Sequence, residues 1–138
     1  MERTFQGLNP RTRQEDERVK PDRVPVIKAV TNVTTSDVTL WTVTANKFLF
    51  IKDFGVCNIA GVTIAITVYL VPSGGSAAAT NKVYDAYAVL PNDSGTLTAL
   101  VGSTLNPGDL IIADTNNATG ANLWLDGVEF TGGLPDVG

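Results

Sequence analysis

The feature that most constrains this chain is a succession of short segments in which apolar and polar residues alternate. A period of two places successive side chains on opposite faces of a strand, whereas a surface helix needs an apolar stripe with a period of 3.6 residues. No convincing stripe of that kind is present, and the segments are rich in Val, Ile, Thr and aromatic residues, which suit a half-buried pleated surface. The pattern predicts eight strands: Val26–Val33, Val38–Thr44, Lys47–Ile59, Val62–Val71, Val83–Leu90, Thr96–Val101, Leu110–Asp114 and Asn122–Phe130.

The separators between these strands carry residues with a specific role in turns. Glycine and asparagine supply positive φ, and proline supplies a fixed φ. The separators read Ala45-Asn46, Ala60-Gly61, Pro72-Ser-Gly-Gly-Ser, Pro91-Asn-Asp-Ser-Gly and Asn106-Pro-Gly-Asp. Eight short strands at this spacing predict an all-β fold, an antiparallel two-sheet sandwich or jelly roll rather than a closed barrel.

Alternation also predicts which side chains share a face. In the strand at 62–71, one face is expected to hold Val62, Ile64, Ile66 and Val68, and the other Thr63, Ala65, Thr67 and Tyr69. In the last strand, the two faces are Leu123, Leu125, Gly127 and Glu129 against Trp124, Asp126, Val128 and Phe130. Trp41 and Trp124 are interpreted as core anchors rather than a sugar-stacking platform, and Cys57 as a small buried hydrophobe.

Charge divides the chain into two regions. Residues 1–30 hold seven Lys and Arg against five Asp and Glu, whereas residues 31–138 hold three against nine, and every arginine lies before residue 24. Residues 1–25 also lack enough bulky apolar side chains to offset the entropy of ordering them. We therefore predict a charged, extended N-terminal arm over 1–25 and a β-sandwich domain over 26–138, a size that suits one compact domain.

Five of the six cations of the arm are the predicted partner-binding residues, because arginine makes bidentate contacts to carboxylates and stacks well on protein surfaces. They are Arg11, Arg13, Arg18, Lys20 and Arg23. The alternative is a disordered solubilising tail. Binding of nucleic acid is not expected, since interleaved acids leave too weak a positive field to hold a polyanion at physiological salt.

The sequence offers little of the chemistry that catalysis or metal binding needs. It has no histidine and a single cysteine, which excludes Ser-His and Cys-His arrangements, an intrachain disulfide and a cysteine metal cluster. Asp114, Asn116 and Asn117 could offer oxygens to calcium, but the loop lacks the glycine and the distal glutamate of an EF-hand, so an Asx-turn is favoured. We predict no enzyme, no catalytic, cofactor-binding or metal-binding residues, and no cofactor.

The order of motifs resembles small β-sandwich virion proteins of tailed bacteriophages over about residues 31–130. The resemblance lies in an ordered set of segments: Trp41–Phe50, the threonine-alternating strand at 62–70, a Gly-Ser loop, Ala88-Val-Leu-Pro-Asn-Asp-Ser-Gly, Leu105-Asn-Pro-Gly-Asp-Leu-Ile and Leu123-Trp-Leu-Asp-Gly-Val-Glu-Phe. It implies a structural role in the particle, as a capsid decoration (cement) protein or as a head-tail or tail component. The arm has no counterpart in it.

These observations together predict a non-catalytic virion structural protein, with decoration of the capsid preferred. The expected partners are other virion proteins, above all the major capsid protein, and further copies of the chain. The alternative of another class is a carbohydrate- or host-binding adhesin-type sandwich. The charged N-terminus and the longest apolar run, about ten residues at 62–71, predict synthesis in the host cytoplasm and no membrane partner. Location in the virion is what the resemblance to phage virion proteins implies.

Overall fold

The computed structural model describes the backbone of residues 23–131 and the side chains of residues 30–131. This part of the chain is built from strands and one short 3₁₀ turn at Ala79–Asn81. The strands are β1 Arg23–Val33, β2 Val38–Thr42, β3 Lys47–Asn58, β4 Ile64–Val71, β5 Lys82–Val89, β6 Ser94–Thr96, β7 Thr104–Leu105, β8 Leu110–Thr115 and β9 Ala121–Thr131.

The strands form two antiparallel sheets. One has the order β1-β9-β3-β6, with β7 pairing along the same edge of β3, and the other has the order β2-β8-β4-β5. Counting β6 and β7 as two segments of one strand leaves eight strands, and every connection except β4–β5 then crosses from one sheet to the other. This is jelly-roll connectivity. The predicted all-β two-sheet fold is therefore confirmed, and of the two predicted arrangements the structure is the jelly roll.

The sandwich has two distinct ends. The terminal end holds Arg23 and Thr131, together with the loops at 43–46, 72–81 and 106–109. The distal end holds the loops at 34–37, 59–63, 90–93 and 116–120. Because β1 starts at the terminal end, whatever precedes it enters the fold there.

The core lies between the sheets and is filled by alternate residues of the long central strands. Its largest fully buried side chains include Leu49, Ile51, Phe54, Ile64, Ile66, Ile111, Leu123 and Leu125. The predicted faces of β9 are confirmed, since Leu123, Leu125, Gly127 and Glu129 are buried. In β4 the inward set is confirmed from Ile64 onward, but Val62 lies in the preceding loop and is exposed.

The predicted strand over 96–101 is wrong. Only Thr96 belongs to a strand, and the chain then turns, with hydrogen bonds from Val101 N–H to Thr98 O and from Ser103 N–H to Leu100 O. Leu97 and Leu100 are both buried, although they are three residues apart, a spacing that a regular strand cannot place on one face. The segment is a loop whose leucines enter the core.

The strand β1 begins three residues before its predicted start. Arg23, Val24 and Pro25 already pair with Phe130, Glu129 and Val128 of β9. The last residues of the predicted arm are therefore part of the five-stranded sheet.

Asn58 joins two loops at the distal end. Its side chain is 1% exposed, and its Nδ2 group donates to the carbonyl oxygens of Val62, Val89 and Leu90 at 2.9, 3.0 and 2.9 Å. Its Oδ1 accepts a hydrogen bond from Ala60 N–H at 2.8 Å. One buried amide thus satisfies backbone groups from both the β3–β4 and the β5–β6 connections.

We expect Asn58→Ala to lower the free energy of unfolding by about 2–4 kcal/mol, because several buried backbone groups lose their partner at once. Urea denaturation followed by circular dichroism measures this loss. The control is Asn81→Ala, whose half-buried side chain bonds only to its own turn and should cost about 1 kcal/mol or less. Equal losses in the two variants would contradict the central role of Asn58.

Candidate functional site

The outer face of the five-stranded sheet, meaning the side that turns away from the core, is unusually apolar. It carries three phenylalanines and a tryptophan from the two central strands, Phe48, Phe50, Trp124 and Phe130, together with Val128 and the edge residue Val30. Phe50 is 39% exposed and Val30 is 62% exposed. Contiguous apolar surface of this kind marks interaction sites in folded proteins.

A β-bulge in β3 produces this face. The pairing of β3 with β9 shifts between Ile51 and Asp53, so that Lys52 is an extra residue. Beyond the bulge, Phe54 and Val56 point into the core, and Asp53, Gly55 and Cys57 lie on the outer face. The prediction that Cys57 is buried is therefore wrong, since its side chain is partly exposed.

Trp124 lies flat on this sheet. It is opposite Gly55 in register, and a Cβ at that glycine would overlap the atoms of the indole ring. The indole N–H donates to Oδ2 of Asp53 at 3.2 Å. One face of the ring thus rests on the backbone of β3 while the ring is only partly buried. The core-anchor prediction is wrong for Trp124, because alternation along β9 places it outside.

Trp41, in contrast, packs against the core as predicted. Its indole N–H donates to Oε2 of Glu129 at 3.2 Å, and Thr44 donates to the same carboxylate through its backbone N–H at 3.1 Å and its hydroxyl at 2.8 Å. Burial raises the pKa of Glu129, but these hydrogen bonds and the charge of Lys47 outweigh it and hold the pKa below its ordinary value. The buried carboxylate links the two sheets near the terminal end.

Two carboxylates lie beside the Trp124 ring. Asp53 and Asp126 are register partners across β3 and β9. Like charges opposite each other repel, so the pair favours an incoming cation. Asp53 is engaged by the indole, whereas Asp126 has no hydrogen bond or ion pair with another described residue.

The terminal end of the outer face is aromatic. Phe48 and Phe130 stack with their ring centroids 5.8 Å apart and an interplanar angle of 22°. Phe130 is also the register partner of Arg23, the first residue of β1. The chain that precedes β1 therefore joins the fold at the aromatic end of this face.

The opposite sheet carries an acidic cluster on its surface. Tyr69 O–H donates to Oδ2 of Asp114 at 3.5 Å. Partial burial, together with a hydrogen bond and the negative charge of Asp37, raises the pKa of Asp114 to about 6. Over residues 23–131 no group of three or more Asp, Glu, Cys or His side chains is arranged to hold a metal ion.

The predicted Asx-turn after Asp114 is confirmed. Asn117 Oδ1 accepts from the N–H groups of Thr119 and Gly120 at 2.8 and 3.2 Å, and Asn116 Oδ1 accepts from Ala65 N–H at 2.9 Å. The side-chain oxygens of Asn116 and Asn117 are therefore engaged in hydrogen bonds with backbone N–H groups.

A groove of about 250 Å³ lies at the seam between the sheets, between β5 and β6. Its lining includes Tyr87, Leu90, Asp93 and Leu97. Nearby, Ile59 and Val62 expose apolar side chains from the loop at the distal end. The groove brings together no pair of acid and base that would indicate catalysis.

The predicted partner-binding residues fall mostly beyond the described part of the chain. Arg11, Arg13, Arg18 and Lys20 lie outside it, and of Arg23 only the backbone is described. Their role stays a prediction, as does the division of the chain into an arm and a sandwich domain, although residues 23–25 of the predicted arm pair within the sheet. Within residues 23–131, no helix is long and apolar enough to span a membrane.

No protein-family model and no curated protein matches the sequence. Among solved structures, the fold is similar to a chain from Bacillus endospore appendages, which form disulfide-linked pili, with a TM-score of 0.49 and 10% identity over 81% of this chain and 90% of that chain. It is also similar to chains of infectious bursal disease virus, in the Gx strain (TM-score 0.42, 15% identity, 83% of this chain and 34% of that one) and in the T13 particle (0.41, 11%, 80% and 30%). This chain spans about a third of the length of those viral chains. At such identities, likeness of fold does not carry function.

We expect Gly55→Ala to displace the Trp124 ring and break its hydrogen bond to Asp53, because the added methyl group overlaps the indole. Tryptophan fluorescence should shift to longer wavelength as the ring becomes more solvated. Gly95→Ala is the matched control, since it lies in the neighbouring strand β6 with no atom within 4 Å of its added Cβ. An unchanged spectrum for Gly55→Ala would contradict the described position of the ring.

The raised pKa of Asp114 predicts a pH dependence of stability. The folded state binds this proton more tightly than the unfolded state, where the pKa is about 3.9. The resulting stabilisation is complete below about pH 4 and is lost as the pH rises through about 6. Asp114→Asn should therefore gain stability relative to the parent protein between pH 4 and pH 7, as measured by urea denaturation at each pH. Asp93→Asn, at the distal end, controls for the loss of one negative charge; a parallel gain there would refute the assignment.

Proposed function

We propose that this chain is a non-catalytic structural subunit of a virion, most specifically a capsid decoration (cement) protein that docks on neighbouring virion proteins through its N-terminal arm. The observation that carries the proposal is the apolar outer face of the five-stranded sheet. Exposed aromatic side chains on a sheet face disfavour an isolated subunit and favour one that is covered in an assembly. The major capsid protein and further copies of the chain are the proposed partners.

The position of the arm supports the proposal. Residues 1–22 precede β1, and β1 is an edge strand that starts at the terminal end beside Phe130. A segment that leaves from an edge can reach another subunit without crossing its own core. Its arginines suit protein surfaces that present carboxylates, through charge-assisted hydrogen bonds.

A role as a head-tail or tail component would depend on the same structural features. The sandwich, the arm and the apolar face would serve in either place, and the resemblance to phage virion proteins includes both. Decoration is preferred because an arm that lies across neighbouring subunits suits reinforcement of a shell.

A second candidate function is binding of a carbohydrate at a host surface. It is favoured by the partly exposed Trp124 ring, which has Asp53 and Asp126 beside it. A flat aromatic ring with adjacent polar groups can stack on a sugar and bind its hydroxyls. Titration of the protein with host-surface glycans, followed by Trp124 fluorescence, separates this candidate from the structural one.

Deletion of residues 1–22 should leave the sandwich folded, because the nine strands that form the two sheets of residues 23–131 are all retained. The truncated protein should nevertheless show much reduced occupancy on particles that lack the native protein, measured by quantitative gel analysis of purified particles. The same occupancy for both forms would show that the sandwich surface alone carries the binding.

A milder variant keeps the arm and removes four of the five cations of residues 1–22. Replacing Arg11, Arg13, Arg18 and Lys20 with alanine should lower occupancy less than the deletion does. Each lost charge-assisted contact weakens docking by about 1.5–3 kcal/mol where it is desolvated. Lys82→Ala, which removes an exposed cation of the body, is the matched control and should leave occupancy unchanged.

A further inference from the structure

The outer face of the five-stranded sheet has the chemistry of a receptor for a cationic and partly apolar peptide. Its aromatic surface needs apolar or planar side chains, and its two carboxylates, Asp53 and Asp126, need positive charge. Arginine meets both needs, because its guanidinium group stacks on an indole and pairs with carboxylates. A uniformly apolar partner would leave Asp126 without a counter-charge.

The chain itself contains a segment of that composition. Residues 1–22 hold five cations and five acids, but the two signs are unevenly spread: residues 3–14 carry Arg3, Arg11 and Arg13 with the apolar side chains of Phe5 and Leu8 and contain no acid. Beyond residue 23, all cations are lysines. The stretch 3–14 of the arm is therefore the part of this chain that is complementary to the outer face.

Length also permits this match. On the outer face, β9 extends from Asn122 to Phe130 over roughly 27 Å at the usual rise of a strand. Twenty-two residues can extend to roughly 70 Å. The arm can thus leave one subunit and cover the whole outer face of another.

The direction of β1 favours a neighbouring subunit over the arm's own face. At Arg23 the strand runs off the terminal end of the sheet, so reaching its own Trp124 would require an immediate reversal.

We infer that the outer face of the five-stranded sheet is the docking site for residues 1–22 of a second copy of this chain. The copies are then joined by exchange of arms, with arginines at the Trp124 ring and the Asp53–Asp126 pair. This inference rests on the proposed structural role and names one of its partners.

The test uses the full chain in two isotopic forms. A photo-crosslinking amino acid replaces Phe50 in the ¹⁴N protein, which is mixed with an equal amount of unmodified ¹⁵N protein and irradiated. Mass spectrometry should find ¹⁴N peptides around position 50 joined to ¹⁵N peptides from residues 1–22. The same crosslinker at Thr39, an exposed position of the other sheet, should give none.

Charge reversal provides a second arm of the test. Asp126→Lys should lower the yield of these crosslinks about tenfold, the loss expected for one charge-assisted contact, whereas Asp85→Lys on the opposite sheet should not change it. Combining Asp126→Lys with Arg11→Glu, Arg13→Glu and Arg18→Glu should restore part of the yield.

Three results would overturn the inference: crosslinks confined to one isotope, crosslinks to the body of the second copy only, or no crosslinks at all. Incorporation into particles is measured in parallel with the same variants. If incorporation depends on the arm while the crosslinks are missing, the virion role stands and the exchange of arms falls. If incorporation does not depend on the arm while the crosslinks form, arm exchange stands and arm-dependent docking on the particle falls.

Discussion

The β-bulge at Lys52 is the constraint on which the apolar outer face of the five-stranded sheet depends. Leu49 and Ile51 point into the core, and in a regular strand Asp53 and Gly55 would follow them inward. Burying the Asp53 carboxylate there would carry a large desolvation penalty. The extra residue reverses the two faces, so that Phe54 enters the core and Asp53 reaches the indole of Trp124 on the outside.

Two buried polar side chains close the sandwich at its opposite ends. At the distal end, Asn58 satisfies backbone groups of two loops; near the terminal end, Glu129 of the five-stranded sheet accepts hydrogen bonds from Trp41 and Thr44. Both groups are satisfied where they lie, which is the condition for a polar group to be tolerated in a core. They fix the relation of the two sheets at positions where apolar packing alone is not directional.

The chain separates a folded body from the segment proposed to mediate association. The body holds its own core and a net negative charge, while the arginines all lie in the segment that ends at the edge strand β1. Residues 1–22 have no net charge, because five acids balance the five cations, so the proposed exchange of arms depends on where the arginines lie and not on an overall attraction. In that exchange, the aromatic outer face would supply apolar area to a contact that charge alone would leave sensitive to salt.

The sequence by itself determined the all-β class, most strand positions and the inward set of β9, because a period of two records which side chains a sheet buries. It also determined the charge division between arm and body. It did not determine the loop between β6 and β7, where Leu97 and Leu100 are buried without alternating, or the exposure of Cys57 and Trp124. Those depend on the bulge and on pairing between residues distant in sequence, such as Gly55 with Trp124. A local pattern records the period of a strand, whereas the face that meets the core is decided only when the strands pair.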